Sequence, residues 1–225
     1  MRFIFNILLF LFFVFYINTI KAQNFTANYK VTTKGLKIGV VFWNLKKNTN
    51  SYTLKIDLNS EGLLSSLYKF EGSYLAEGLL INDDFVPKVY SQKWATKKKK
   101  RNVKMIFNKN KVYSLLLEPE EKETQRIKVV GLQDYSDPLT SFLKLLNGNN
   151  QSKTIDGRRV YVFSLNYIDE KLSKKSYTIK DYINIWADHK RNDLEKISII
   201  NKKNNLLPDS IYIKFKGQLF KIVKD

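Results

Sequence analysis

The chain has 225 residues with 39 Lys or Arg against 21 Asp or Glu, a net charge of +18, one His and no Cys. The missing cysteine excludes disulfides, thiolate metal sites, cysteine nucleophiles and a lipid-modified amino-terminal cysteine. A lone histidine weighs against zinc chemistry and against a histidine-dependent nucleophile.

In chain order, Arg2 precedes an apolar run from Phe3 to Ile17, broken only by Asn6. That run spans roughly 22 Å as a helix, short of the roughly 30 Å hydrocarbon core. It reads as a signal peptide over residues 1–22, cleaved after Ala22, with one β domain over residues 23–225. Export without cysteine fits the periplasm of a Gram-negative bacterium; an uncleaved inner-membrane anchor is the alternative. Loss of Arg2 and Lys21 would leave a net charge of +16. Such a surface suits anionic partners. The basic residues are 33 Lys and only 6 Arg, however, and specific anion sites favour Arg. Genome composition therefore competes with function as the source of the charge.

Beyond the signal, period-two alternation predicts strands. Phe25, Ala27, Tyr29 and Val31 share a face before a turn at Lys34-Gly35. Val40 to Trp43 is continuously apolar, which predicts cover on both faces. Tyr52, Leu54, Ile56 and Leu58 alternate cleanly. Residues 61–68 read as a bend or a helical turn. Strands follow at Phe70–Glu77, Pro87–Trp94, Val103–Phe107 and Val112–Leu117. Lys97 to Arg101 forms a solvated hairpin tip between two of them. Ile127–Val130 is a short apolar stretch.

One helix interrupts the strands. Asp137 suits an N-cap, Pro138 the first helical position, and Gly148 the left-handed stop. Leu139, Phe142, Leu143 and Leu146 recur at helical spacing. A helix of about ten residues is marginal alone in water, so this stripe must lie on the sheet. Strands resume with Tyr161, Phe163, Leu165 and Tyr167 on one face, then Tyr177, Ile179, Ile183 and Ile185 up to Trp186. Leu194–Ile200, Ile211–Phe215 and Leu219–Val223 complete the chain. The expectation is an all-β or β-dominated α+β fold. One antiparallel sheet of ten to twelve strands curls into a barrel or half-barrel, with the helix at about 137–147 on its concave side.

Little here carries chemistry. His189 lies in the polar turn "WADHKRND", where Asp188 and Asp193 are local turn formers. Asp83-Asp84, Asp134 with Asp137, and Asp156 could furnish the paired acids of a hydrolase, yet each suits a turn or cap. Interleaved Lys and aromatics, as in "KVYSQKWATKKKK", resemble a nucleic-acid surface in form, but amphipathic strands produce the same pattern. No phosphate loop or dinucleotide fingerprint occurs.

The segments "SDPLTSFLKLL", "DGRRVYVFSL" and "IWADHKRNDLEKISI", with "FVPKVY" upstream and "LPDSIYIKF" near the end, resemble the exported bacterial family called domain of unknown function 3108. The resemblance covers nearly all the chain beyond the signal and supplies no assigned catalytic residues. The Trp-ending strand, polar turn and returning strand are also similar, remotely, to periplasmic lipoprotein-sorting proteins. That likeness implies a concave apolar face, lidded by helices, that holds acyl chains. Together these readings imply a non-enzymatic envelope protein, without catalytic, metal or cofactor residues, that binds a lipid or other amphiphile. The alternatives are a Lys-rich module docking on an anionic membrane or polymer through Lys97–Lys100, and a carboxylate-dependent hydrolase. Nucleic acid is disfavoured, and protein partners are not legible.

Overall fold

A computed structural model describes residues 22–62, 65, 69–186, 193–203 and 205–225. Residues 1–21, which hold the amino-terminal apolar run, most of the bend at 61–68, and His189 with Asp188 lie outside the described residues. Thirteen strands are described, one more than the upper expectation. They are β1 (Gln23–Thr33), β2 (Leu36–Lys47), β3 (Ser51–Ser60), β4 (Phe70–Ile81), β5 (Asp84–Thr96), β6 (Lys100–Asn108) and β7 (Lys111–Glu118). After the helix α1 (Pro138–Leu146) come β8 (Gln151–Ile155), β9 (Arg159–Asp169), β10 (Lys174–Asn184), β11 (Leu194–Ile200), β12 (Ser210–Phe215) and β13 (Gln218–Lys224).

All thirteen form one antiparallel sheet in the order β7-β6-β5-β4-β3-β2-β1-β13-β12-β11-β10-β9-β8. The first strand therefore sits mid-sheet beside the last, and β7 and β8 are the two edges. Four hairpins turn on two residues with positive φ: Lys34-Gly35, Asn82-Asp83, Lys109-Asn110 and Lys216-Gly217. Such turns match the right-handed twist of the flanking strands, and twist accumulated over many strands curls a sheet. The curl brings the far ends together: a Cβ on Gly157, in the β8–β9 turn, would stand 2.7 Å from Val103 of β6.

The residues 119–136 fill the gap between the edges. Val112 of β7 donates its N–H to Leu132 O at 3.0 Å and accepts that of Gly131 at 2.8 Å. Four residues on, Ser136 donates to Lys153 O and accepts from Ile155 N, both at 2.9 Å, on β8. The open edges, otherwise templates for pairing with another chain, are thereby capped along this stretch. Ile127–Val130 belongs to this seam, not to a strand, and Val129 is fully buried in it.

Inward residues follow the expected alternation through the first half of the sheet: Tyr29, Val41, Trp43, Leu45, Tyr52, Leu54, Ala76, Tyr90, Met105 and Phe107 are buried. Departures have local causes. Phe42 is 39% exposed, so β2 is covered on one face, not both. Tyr167 is 54% exposed because the ladder slips between Ser176 and Tyr177, pairing Leu165 with Tyr177 but Tyr167 with Ser176. Ile183 is 44% exposed because a second slip, with Asp181 at φ 51, turns it opposite to Tyr161. Each inserted residue moves everything beyond it to the other face. The strand missed by the sequence reading is β8. Its inward residues, Ser152 and Thr154, are polar and give no hydrophobic alternation.

Candidate functional site

The helix sits inside the curled sheet, against β4, β5 and β8. Asp137 caps it as the sequence requires, accepting the N–H groups of Leu139 and Thr140 at 3.0 and 2.9 Å. The far end closes with paired bonds, Gly148 N–H to Leu145 O and Asn149 N–H to Lys144 O, around Gly148 at φ 103. That is the left-handed Gly termination. Leu143 and Leu146 are buried and Leu139 and Phe142 pack on the core, with Phe142 edge-on to Trp43 at 5.9 Å. Thr140, Ser141 and Leu145, off that stripe, are buried as well. The helix is thus a plug enclosed on several sides, not a lid resting on one face.

Buried hydroxyls need partners, and here the plug and wall satisfy each other. Thr140 Oγ1 donates to Asp137 Oδ2 at 2.5 Å, so the Tyr52 hydroxyl, 2.6 Å away, is left to donate to Thr140. Ser141 Oγ accepts from Ser152 Oγ at 3.0 Å and Thr154 Oγ1 at 2.8 Å. Gly78 makes room for this arrangement, since a Cβ there would lie 2.6 Å from the Tyr52 hydroxyl and 2.1 Å from Val86 O. Burial pushes the Asp137 carboxyl up to about 6, partly offset by the hydrogen bonds from Thr140 and Leu139.

The other acids singled out from the sequence also have structural employment. Asp83 sits in the β4–β5 turn at φ 61, and Asp84 pairs with Lys144 at 3.4 Å. Asp134 is exposed at φ 62, whereas Asp137 is sealed from solvent, so their nearness in sequence creates no open pair. Asp156 accepts from Arg158 N and Arg159 N at 2.9 and 2.8 Å, and burial raises its carboxyl against the pull of Arg159. At this base of the barrel Arg158 pairs with Glu121, while Arg159 lies 3.6 Å from both Asp156 and Asp193. Burial, then the neighbouring Arg101 and Arg159, lowers Arg158 to about 10. Lys97 to Lys99 form the exposed β5–β6 tip, with Lys100 and Arg101 already in β6. Arg101 lies over Trp94 at 5.8 Å.

At the opposite, upper end a cavity of ≈ 300 Å³ opens beside the last turn of α1. Its floor is apolar and buried: Leu145, Leu146, Tyr177 and Ile199. Its margin carries Lys174, Lys175 and Lys202 together with the acids Asp169 and Glu170, an excess of one positive charge. Tyr177, whose hydroxyl is pushed up to about 12 by burial, reaches Leu145 O in the last helical turn and Asn149 O just beyond the helix, at 3.4 and 3.5 Å. Sequence reasoning passed over these residues. It placed Leu146 and Tyr177 only as helix and strand residues, and the cavity depends on a helix end about thirty residues away.

The family described as "Protein of unknown function (DUF3108)" matches residues 26–200. The chain belongs to that family. The match runs from within β1 through β11 and so includes the plug helix, the seam and most of the cavity lining; β12 and β13 lie beyond it. No curated protein matches the chain. Among solved structures it is similar to the "Beta-barrel-like Protein of Domain of Unknown Function DUF1849 from Brucella abortus", at 9% identity and a TM-score of 0.51. That likeness covers 92% of this chain and 98% of the other, and concerns the fold.

Proposed function

We propose that this member of the family is a non-enzymatic protein of the bacterial envelope that holds a small anionic amphiphile in the upper cavity. The observation carrying this reading is the pairing of an apolar floor (Leu145, Leu146, Tyr177, Ile199) with a margin whose three lysines (Lys174, Lys175, Lys202) outnumber its two acids (Asp169, Glu170), around ≈ 300 Å³. That volume lies at the lower end of the range for ligand sites, roughly 300–1,000 Å³. It suits one acyl segment with its acidic head, not a whole phospholipid. The lumen itself is occupied by α1, so the cargo sits at the rim and the helix acts as a brace whose final turn forms one wall. Support for an envelope location comes from the amino-terminal apolar run and the absence of cysteine. The hydrolase reading gains nothing from Asp137, whose oxygens are fully buried and occupied.

The test is mass spectrometry of purified protein for co-purifying lipid, followed by titration with a fluorescent fatty acid. Saturable binding is expected, weakened about tenfold or more in Lys174→Glu/Lys175→Glu, which puts like charge beside the carboxylate. Protein that carries no lipid and takes up no probe would overturn the reading.

A further inference from the structure

The β9–β10 hairpin carries a second feature, independent of the cavity floor. Tyr167, Ile168 and Leu172 are 54, 49 and 52% exposed within six residues. Singly exposed apolar side chains are ordinary, but three clustered at one tip are not. The tip is also well ordered by its own bonds: Leu172 N–H donates to Asp169 Oδ1 at 3.1 Å and Ser173 N–H to Glu170 O at 3.1 Å. Their exposure is therefore built into the turn and is not the fraying of a loose end. Lys171 lies within the tip, and Lys174 and Lys175 flank it. Asn201 N–H, bonded to Ser173 O at 3.1 Å, ties in the β11–β12 connection with its exposed Lys202 and Lys203. Asp169 and Glu170 also lie in the tip, where they bond the turn, but the five lysines outnumber them, so apolar side chains that can enter a bilayer stand among an excess of cations that can meet its headgroups.

We infer that this tip docks on an anionic lipid bilayer, with Ile168 and Leu172 entering the interface and Lys171, Lys174, Lys175, Lys202 and Lys203 meeting the headgroups. Stable attachment takes two signals, apolar insertion and a basic patch, and here both occupy one corner. The β5–β6 tip supplies only the second: Lys97 to Lys100 are exposed, no large apolar side chain between Trp94 and Arg101 is strongly exposed, and Arg101 lies over Trp94. Ile168 also lines the cavity, so docking brings the cavity mouth to the bilayer surface. This last step, loading from or unloading to the membrane, rests on the amphiphile reading; the docking does not.

The experiment uses purified protein and two kinds of vesicle, pure phosphatidylcholine and an equal mixture of phosphatidylcholine and phosphatidylglycerol. Leu172→Trp is expected to give an emission band that moves to the blue with the anionic vesicles and is quenched by brominated acyl chains. Ile168→Ser/Leu172→Ser, at half-exposed positions that leave the fold intact, is expected to bind those vesicles about tenfold or more weakly. Replacing Lys97–Lys100 by Ser is expected to change binding by less than about twofold. An unshifted Trp band, undiminished binding by the Ser pair, or loss of binding in the Lys97–Lys100 variant would overturn the inference. Fatty-acid uptake in vesicle-free buffer reads the cavity separately, so retained uptake without docking sinks only the docking, and docking without uptake sinks only the cargo.

Discussion

At the base of the barrel, Arg158 and Arg159 are matched by Glu121, Asp156 and Asp193 within a tightly packed turn; at the upper rim, Lys174, Lys175 and Lys202 stand around a cavity. Both ends are rich in cations, but the base pairs its guanidiniums with carboxylates, while the rim sets its ammonium groups beside apolar surface and has fewer acids, Asp169 and Glu170, than lysines. Buried charge left without a partner costs several kcal/mol, so the base must be matched to fold at all. Lys202 is exposed, while Lys174 and Lys175 are half-buried, Lys174 lying over the Tyr212 ring at 5.8 Å; such partly solvated lysines cost little and keep their ammonium groups within reach of a ligand. The comparison teaches that net charge alone, +18 here, does not locate function; the setting of each charge does.

The base should therefore be fragile and the rim tolerant. The largest effect is expected at Gly157→Ala. Its φ of 88 disfavours any side chain, and the new Cβ would press within 2.7 Å of Val103. Strain and overpacking together should cost about 3 kcal/mol, seen as a fall of roughly 10 °C in Tm. Glu121→Ala, which strands the largely buried Arg158, should cost about 2 kcal/mol by urea unfolding. If Glu121→Ala proved as mild as Lys174→Ser/Lys175→Ser, expected within about 0.5 kcal/mol, the contrast between the ends would collapse.

Between those extremes lies Asp137, in the plug. Its folded carboxyl sits at about 6, above the ordinary value of 3.8, so between those values the folded protein binds more protons than the unfolded chain. Stability should then fall as pH rises from about 4 to about 6, by up to about 3 kcal/mol, and level off above. Asp156, raised in the same direction, adds to the slope. Asp137→Asn should flatten the Asp137 share while keeping the cap. Asp137→Ala should lose the cap as well and cost about 1 kcal/mol more than Asn at neutral pH. Equal slopes for the wild type and Asp137→Asn would show that the carboxyl is not sealed as described.

Much of this fold was legible because its signals are local. Asp137, Pro138 and Gly148 mark the helix ends within a dozen residues, and Lys34-Gly35 and Lys216-Gly217 mark tight turns. What escaped is what depends on distant chain segments. The slips that turn out Tyr167 and Ile183 leave no mark in composition. Strand β8 hides because Ser152 and Thr154 answer Ser141 on the helix, which a periodicity argument cannot know. Leu145 fell outside the helical stripe because the stripe assumes one buried face, whereas the plug is enclosed on several. The upper cavity joins the end of α1 to the tip of β9–β10, a juxtaposition made by topology. The candidate site was thus invisible even though each of its residues was in plain view.

The most direct measurement is a methyl-resolved NMR titration of the purified protein with lauric acid. The account predicts saturable shifts at Leu145, Leu146, Ile168 and Ile199, with Ile106, Leu116 and Ile183 on the outer face unmoved. No saturable shift, or shifts centred on those outer residues, would contradict it.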